Sequence, residues 1–382
     1  MSKKGDAKMR FETAISFLEG GCKSLTLADE WRKKALDVAE LGDVVYMAER
    51  ITEYTSGQIP PKWNRECVDR LYGAVDEDST GLAVSGLIKL SNAGCAIAMY
   101  YLGKTNFYGK GGVEEDESKA AEWYKKAAEA GLPEALEEIG DCYDVGVCGF
   151  AEQKDKAQEY YERAFKAVLG FAENGDAFYQ RKLAYQFQKG SDLVGGTKDE
   201  KQGFEWYLKA ALSGDGNAME EVSDCYRDGQ GVEKNSDKAL EWYIKAAENG
   251  CKVPLSVLAR NYYAGKIVAG VELPKDYARA IHFATLGVEL HNLPSCHLVL
   301  GRCYYHGKGV DEDNGKAFGY FKEAAELGDA MAQDYMGDCY KGGYGVEKDT
   351  NEAKKWYKLA ADNGSESAKE SLKKLEEASS AW

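Results

Sequence analysis

Residues 237–250 read DKALEWYIKAAENG, and nearly the same segment returns four more times along the chain. The copies are SKAAEWYKKAAEAG at 118–131, EKQGFEWYLKAALSG at 200–214, GKAFGYFKEAAELG at 315–328 and NEAKKWYKLAADNG at 351–364. With two weaker copies at Tyr160 and Phe283 included, the Trp position or its substitute recurs every ~36 to 46 residues, a period typical of solenoids. The sequence therefore predicts one helical unit stacked many times, without a single globular core.

The composition is typical of a folded, helical protein. Of 382 residues, 30% are charged and 12% are aromatic, and only six are prolines. The net charge of −15 argues against general binding to nucleic acid or to an anionic membrane. No apolar run approaches the ~18–20 residues of a membrane span, and residues 1–21 do not resemble a signal peptide. We therefore expect a cytoplasmic protein.

A second motif precedes each copy of the segment. A small residue is usually followed three positions later by an aromatic residue and six positions later by a glycine. These offsets are typical of an amphipathic helix, and the glycine can adopt positive φ and end it. We name this the first helix of a unit. Its small residues are Gly103, Gly140, Ala184, Ser223, Ala259, Gly301 and Gly337, and its closing glycines are Gly109, Gly146, Gly190, Gly229, Gly265, Gly307 and Gly343.

The repeated segment itself predicts the second helix of a unit. An Asp or Asn seven positions before the Trp position is expected to be its N-cap. These residues are Asp116, Asp199, Asn235, Asp276, Asp313 and Asp349. Asp349 and Glu352 also have the spacing of a capping box. Small residues on either side of the Trp position allow the two helices to approach closely, while the Trp and Tyr side chains fill the remaining space.

Both ends of the chain depart from this pattern. AELGD at 39–43 returns at 325–329, so 29–57 is expected to be a weaker copy. IPPKWNRECVDRLYGAV at 59–75 has no counterpart and predicts an inserted helix, followed by a second helix near 80–93. The predicted organisation is degenerate repeats in 1–94, a repeat array in 95–364, and a C-terminal capping helix and tail in 365–382. It comprises about nine helix pairs.

The combined motif resembles the Sel1-like repeat family, relatives of tetratricopeptide repeats. AMAQDYMGDCYKGGYGVEKDTNEAKKWYKLAADNG at 330–364 carries the pattern almost completely, and the resemblance covers roughly 95–364. It weakens at 144–153, 189–200 and 277–291. The resemblance implies an all-α, right-handed superhelical solenoid of antiparallel helix pairs, with the first helices lining a concave side. It also implies a role as an adaptor or scaffold for protein complexes.

The ten cysteines do not read as a disulfide framework. Cys142, Cys225, Cys303 and Cys339 occupy one repeat position, so neighbours would lie ~8–10 Å apart, beyond the ~7 Å that a disulfide spans. We predict small, buried, reduced residues. A secreted, cysteine-rich branch of the family, associated with β-lactam binding, pairs two cysteines per repeat. This sequence lacks the second cysteine of that pair, which argues against both the pairing and that activity.

Other candidate chemistry is weak. The four histidines, His282, His291, His297 and His306, lie near Cys296 and Cys303, but a zinc site needs three or four converging ligands and Cys303 occupies a core position. The glycine-rich loops at 109–112 and 307–310 lack the phosphate-binding motif. No set of nucleophile and base recurs. We predict no catalytic residue, no metal and no cofactor.

The surface of the first helices is the remaining candidate site. Placed in the geometry of tetratricopeptide repeats, it gives eleven partner-binding candidates: Tyr100, Lys104, Phe107, Tyr108, Arg181, Tyr185, Arg260, Tyr263, Arg302, Tyr305 and His306. The Arg–Tyr pairs at 260/263 and 302/305 are the strongest, because Arg and Tyr are preferred interface anchors. In the alternative interpretation, these side chains stack on one another between repeats and bind nothing.

The predicted function is a non-enzymatic scaffold or adaptor that binds a peptide segment or protein partner in the concave groove. Residues 253–306 would take an acidic segment or one bearing a C-terminal carboxylate. We expect no nucleic-acid partner and no membrane insertion. Two alternatives stay open. One is a small-ligand-binding or β-lactam-hydrolysing enzyme of the cysteine-rich branch, which nitrocefin and zinc assays would detect; the other is self-association, which light scattering would detect.

Overall fold

The computed structural model describes residues 6–19, 35–36, 39, 41–52, 61–78, 81–190 and 197–380. Within these ranges the chain forms 19 helices and one short hairpin, which confirms the predicted all-α solenoid class of stacked helix pairs. The chain divides into two compact units, residues 1–198 and 199–382.

The first unit contains nine helices in its described residues. They are α1 Asp6–Glu19, α2 Leu41–Thr52, α3 Pro61–Gly73, α4 Leu82–Asn92, α5 Ala96–Tyr108, α6 Glu117–Glu129, α7 Pro133–Val145, α8 Lys154–Glu173 and α9 Ala177–Lys189. First helices α5 and α7 each pack against the second helix that follows, and α9 packs on α8. The inserted helix predicted at 59–75 is α3, and the second helix predicted near 80–93 is α4. Much of the predicted copy at 29–57 lies outside the described residues.

The second unit continues the alternation. Its helices are α10 Glu200–Leu212, α11 Gly216–Asp228, α12 Ser236–Glu248, α13 Lys252–Ala264, α14 Tyr277–His291, α15 Pro294–His306, α16 Asn314–Glu326, α17 Ala330–Gly342, α18 Thr350–Asp362 and α19 Glu366–Ser380. First helices are α11, α13, α15 and α17. An antiparallel hairpin, β1 Ile267–Val268 and β2 Val271–Glu272, fills the longer loop between α13 and α14. Helix α19 lies where the polar C-terminal helix was predicted.

The predicted helix ends are confirmed. Each of the six predicted Asp and Asn residues accepts a backbone N–H bond at the start of its second helix. All seven predicted glycines are left-handed C-caps of the first helices. The capping box is only half formed, because the Asp349 backbone N–H donates to the Tyr340 carbonyl at 2.9 Å and the Glu352 carboxylate pairs with Lys355.

In several repeats, the same kind of backbone hydrogen bond joins the first helix to the second helix. The N–H of the second helix's N-cap donates to a carbonyl in the last turn of the preceding first helix. Asn235 N–H bonds the Tyr226 carbonyl at 2.8 Å, and Asp313 N–H bonds the Tyr304 carbonyl at 3.0 Å. Because both groups belong to the backbone, this hydrogen bond does not depend on which side chains the repeat carries.

The closest contact between paired helices is a ring lying on a glycine. A Cβ added to Gly301 would lie 2.6 Å from Phe321, and one added to Gly140 would lie 2.6 Å from the Tyr161 ring. The ring belongs to the residue after the Trp position. That residue fills the interface, whereas Trp123, Trp206 and Trp242 are half-buried, with a lysine ammonium 3.6–4.3 Å from each ring centroid. The Tyr therefore takes the interior position that the sequence suggested the two aromatics would share.

The cysteine positions follow the prediction. Cys142, Cys225, Cys303 and Cys339 are all buried between helices. None of the nine cysteines in the described residues forms a disulfide. Burial raises the pKa of Cys303 to about 11 and that of Cys339 to about 12, so these thiols stay protonated at neutral pH.

The Gly301–Phe321 contact gives a first prediction. Gly301→Ala places a methyl group against the Phe321 ring, and overpacking of this kind costs about 1–3 kcal/mol. The free energy of unfolding, measured by urea denaturation, should fall accordingly. Gly319→Ala is the matched control, because Gly319 is helical and exposed, with nothing within 4 Å of an added Cβ. The control should be neutral or stabilised by up to about 1 kcal/mol; equal losses in both variants would contradict the proposed packing.

Candidate partner-binding face

First helices of neighbouring repeats lie side by side within each unit. In the second unit α13 and α15 are in direct contact, and the Ser295 hydroxyl donates to the Ser256 hydroxyl at 3.0 Å. In the first unit, Lys182 on α9 reaches Glu137 on α7 at 2.9 Å. We call this surface the first-helix face. All eleven sequence-predicted candidates belong to first helices, which are described for each unit separately.

In the first unit, the inserted helix α3 lies against the first-helix face. The Arg65 guanidinium forms an ion pair with Glu134 at 3.0 Å, and both side chains are largely buried. Arg65 also donates to the Tyr179 hydroxyl at 2.9 Å and lies 4.0 Å from the Phe178 ring centroid. The Tyr179 hydroxyl in turn donates to Glu134 at 3.2 Å. Three segments distant in sequence therefore meet around one guanidinium.

A second contact holds α3 one turn further along. The Tyr101 hydroxyl donates to Asp69 at 2.6 Å, and the Tyr101 ring stacks on Tyr72 with centroids 4.2 Å apart. Burial raises the pKa of Asp69, and burial, followed by the bond to Asp69, raises the pKa of Tyr101. Burial is the largest single influence on the pKa of Arg65 and lowers it, but Glu134, Tyr179 and Asp69 together outweigh burial, so the pKa is raised and the guanidinium stays charged.

Two predicted candidates in the first unit are already engaged within the chain. The Tyr100 hydroxyl donates to Glu138 at 3.2 Å, and the Lys104 ammonium lies 3.8 Å from the same carboxylate. Burial raises the pKa of Glu138 and of Glu137. Each carboxylate nevertheless has a lysine partner, so the first-helix face of this unit carries charges that are largely neutralised internally.

The other candidates in the first unit are more accessible. Phe107 is half-buried and meets Tyr108 edge-on at 4.9 Å. Tyr108 is 54% exposed and Tyr185 is 51% exposed. Arg181 is half-buried, with its guanidinium 5.6 Å from the Phe178 ring centroid. Tyr108 and Tyr185 are therefore the candidates of this unit whose aromatic rings are most exposed.

In the second unit, the residues of the two predicted Arg–Tyr pairs differ in their burial and contacts. Tyr263 is buried, meets Tyr277 edge-on at 5.5 Å, and lies beneath the Arg302 guanidinium at 4.3 Å. Arg302 thus stacks on the tyrosine of the preceding repeat, as the alternative interpretation expected. Its Nε atom is buried and has no hydrogen-bond acceptor among the described residues. Arg260 is exposed on the same face.

Tyr305 is the centre of an aromatic cluster. Its ring meets Phe321, Tyr335 and Tyr344 at centroid distances of 5.6–5.9 Å. Burial, followed by the charge of Asp338, raises the pKa of Tyr305 to about 12. His306 lies beside it and is largely exposed. Its partial burial, followed by the charge of Arg302, lowers the His306 pKa, so the imidazole is mainly neutral at pH 7.

The two first-helix faces differ in how their charges are paired. In the first unit Arg65, Lys104 and Lys182 each lie within 4.0 Å of a carboxylate. Across the part of the second unit that the structure describes, no ion pair of 4.0 Å or less includes Arg260 or Arg302. The second unit therefore carries two arginines that form no ion pair with any described residue.

Comparison with known families agrees with this repeat geometry. Seven segments match the family described as Sel1 repeat: residues 96–132, 133–167, 177–215, 216–251, 257–292, 294–329 and 330–365. Together they cover well over half of the chain. The chain belongs to the Sel1 repeat family. Each matched segment begins at or within a first helix and extends into the second helix of its repeat.

Solved structures of Sel1 repeat proteins are similar to this chain. One from Oxalobacter formigenes is 23% identical, covering 95% of this chain and 93% of its own, with a TM-score of 0.49. A protective antigen of uropathogenic Escherichia coli with an SLR fold is 22% identical, covering 98% and 88%, with a TM-score of 0.43. A third, from Klebsiella pneumoniae, is 24% identical, covering 56% and 99%, with a TM-score of 0.28. No curated protein gave a significant match.

His282, His291 and His297 of this Sel1 repeat array each contact a different residue. His297 is buried and its Nε2 bonds the Asn292 side chain at 2.6 Å, and His291 Nε2 bonds the Gly250 carbonyl at 2.6 Å. His282 lies edge-on against Phe283. The described residues contain no group of three or more His, Cys, Asp or Glu side chains that could hold a metal ion. Among those residues, no helix is both long and apolar enough to cross a membrane.

Sequence reasoning missed the residues that approach the first-helix face from outside the repeat. Arg65 and Asp69 come from α3, which has no counterpart among the Sel1 repeats. Their spacing of four positions places both on one side of a helix, and this was the available signal. Glu134 and Glu138 were also missed. The projection from tetratricopeptide repeats included the position of Glu134, six before Gly140, but Glu134 was not selected, and the projection did not include the position of Glu138. Tyr344, a loop residue, gave no periodic signal.

The buried ion pair on α3 gives a second prediction. Arg65→Met leaves Glu134 without its cation in a largely buried site, and breaking such a pair costs about 3–5 kcal/mol. Urea denaturation should show this loss in the free energy of unfolding. The control is Lys119→Met, which breaks an exposed pair with Asp116 and should leave stability close to that of the native chain. A native-like midpoint for Arg65→Met would contradict the role assigned to this contact.

Proposed function

We propose that this Sel1 repeat protein is a non-enzymatic scaffold or adaptor that binds a peptide segment or protein partner on its first-helix faces. The family assignment supports an interaction role, since Sel1 repeats generally mediate protein–protein contacts. The proposed binding residues are the eleven candidates identified from the sequence, with Arg260, Arg302 and Tyr305 in the second unit as the main anchors. The cytoplasmic location expected from the sequence stays a prediction.

The contacts of the Arg302 side chain are the observation that supports this proposal. Its guanidinium is fixed over the Tyr263 ring, and its buried Nε–H has no acceptor in the described chain. A buried donor on a charged group is costly to leave unpaired. Stacking uses the face of the guanidinium, and Arg302 is only half-buried, so part of the group is left for an incoming acceptor. The buried Nε–H is out of a partner's reach, and the acceptor would bind the other nitrogens of the guanidinium.

The charge of the anchors indicates the chemistry of the partner. Arg260 is exposed and unpaired in the described chain, and Arg302 lies on the adjacent first helix. Guanidinium groups prefer carboxylates, which they bind through two parallel hydrogen bonds. We therefore propose that residues 253–306 take an acidic segment or a C-terminal carboxylate of the partner.

Rigid packing supports binding by this face. Leu255, Leu258 and Ala259 of α13 are completely buried, as is Cys303 of α15. The backbone that presents the anchors is thus fixed before a partner arrives, and little ordering entropy is lost on binding. Tyr305 adds a large, half-buried aromatic surface that is already held by three rings. Side chains of this type often dominate the energetics of interfaces.

Removal of the two arginines tests the proposal. Partners are first identified by affinity purification with mass spectrometry, and their affinity is then measured with the double variant Arg260→Ala, Arg302→Ala. The affinity should fall at least about 10-fold, which corresponds to about 1.4 kcal/mol. The affinity of the native chain for the same partners should also fall as the salt concentration rises, because the contacts are electrostatic.

Lys245→Ala is the matched control. Lys245 lies on the second helix α12, where it pairs with Glu241, and its removal also takes away one positive charge. This variant should bind partners as the native chain does. Partners held equally well by the double variant and the native chain would show that the arginines are not the binding anchors.

A further inference from the structure

A cleft of about 480 Å³ opens beside the last first helix of the second unit. Its wall on α17 contains Met331, Asp334, Tyr335 and Asp338, and its opposite wall contains Ser365 and Ser367 at the start of α19. Met331 is 50% exposed there. The cleft thus combines two carboxylates with apolar and aromatic surface, and it is continuous with the first-helix face through Tyr335, which contacts Tyr305.

The two carboxylates of the cleft lack a cation. Asp338 accepts a bond from the Tyr357 hydroxyl at 2.7 Å, and Asp334 accepts one from Ser365 at 3.5 Å. In the residues that the structure describes, no lysine, arginine or histidine nitrogen lies within 4.0 Å of either one. Like charges four positions apart on a helix repel each other. Burial, with Asp338 as a further contribution, raises the pKa of Asp334, as expected for an uncompensated carboxylate.

The first unit contains the same arrangement with its cation present. Glu137 and Asp141 stand three before and one after Gly140, as Asp334 and Asp338 do around Gly337. The Tyr161 hydroxyl donates to Asp141 at 2.7 Å, which reproduces the bond from Tyr357 to Asp338.

In the first unit, the following first helix supplies the ammonium group. Lys182 of α9 bonds Glu137 at 2.9 Å, and both side chains are mostly buried. Helix α9 begins after the N-cap Asp176, and α19 begins after Ser365, whose hydroxyl accepts the Ala368 N–H. Counting from these caps, Ser371 stands where Lys182 stands. Ser371 cannot reach the cleft as a lysine would, so the ammonium position beside Asp334 is left for a group from outside the chain.

We propose that this cleft binds the ammonium group of a lysine side chain from the partner segment, in the position that Lys182 occupies in the first unit. The inference rests on the proposed function, since it assigns a second contact on the same first-helix face. Asp334 and Asp338 bind the ammonium group, and Met331 and Tyr335 contact the apolar stem of the lysine. A partner with both an acidic group and a lysine would then match Arg260 and Arg302 on one side and the cleft on the other.

The test uses the full chain with ¹³C-methyl methionine, because Met331 lines the cleft. The Met331 resonance is assigned with Met331→Leu, and N-α-acetyl-lysine N-methylamide is the probe. The Met331 signal should shift and saturate in the millimolar range. N-α,N-ε-diacetyl-lysine N-methylamide lacks the charge and should cause no shift. Glycine N-methylamide tests an α-ammonium group in place of the side chain.

Three variants make the result specific. Asp334→Asn should weaken probe binding at least about 5-fold, which is the effect of removing one close charge. Glu376→Gln removes an exposed charge of α19 and should bind the probe as the native chain does. Ser371→Lys supplies the missing ammonium from within the chain. It should abolish probe binding and raise the melting temperature, which also shows that the cleft is folded.

Several outcomes would overturn the proposal. An unshifted Met331 signal, equal probe binding by Asp334→Asn and the native chain, or probe binding that survives Ser371→Lys would each do so. A response to glycine N-methylamide but not to the lysine probe would assign the cleft to an amino terminus and would also reject the lysine assignment. Loss of partner binding on removal of the arginines, together with an inert cleft, would retain the proposed function and reject this inference alone.

Discussion

The packing of an aromatic ring against a helix backbone is the constraint on which the rest of this structure depends. Where Phe321 lies on Gly301, and Tyr161 on Gly140, no side chain can be inserted between the paired helices. The close approach also brings the N-cap backbone of the second helix to the last turn of the first, as in the bond from Asp313 to Tyr304. A repeat with this glycine is therefore fixed by two short-range contacts, and stacking repeats multiplies them.

This division of labour leaves the first helices available for other roles. Their inner side chains, such as Leu258 and Cys303, are buried in the repeat stack. Outer side chains such as the exposed Arg260 are not part of this stack and can change without disturbing it. In the first unit, these positions face α3 and form internal ion pairs. In the second unit, Arg260 and Arg302 and the carboxylates Asp334 and Asp338 lack ion-pair partners among the described residues. The same scaffold can thus hold its own segment or present charge to a partner.

Features that depend on neighbouring residues could be predicted from the sequence, whereas features that depend on contacts between distant residues could not. Helix ends were predicted correctly because a cap involves only neighbouring residues, as Asp276 and Gly265 illustrate. The reciprocal half of the capping box at Asp349 failed because the Tyr340 carbonyl took its N–H. The Trp and Tyr of the repeat could not be ranked from the sequence, since both are large aromatics. Only the position of the glycine opposite them shows which ring is buried.

The sequence by itself determined the repeat, the helix ends and the family, because these rest on local hydrogen bonds and on residues that recur at fixed spacing. Only the tertiary structure decided which charges are paired. The Arg65–Glu134 and Lys182–Glu137 pairs join different helices, and no periodicity indicates them. The physical reason is that an ion pair depends on distances of a few ångströms between distant segments, whereas a cap depends on adjacent backbone. The sequence predicted the first-helix face, and the tertiary structure determined which of its charged groups lack an ion-pair partner among the described residues.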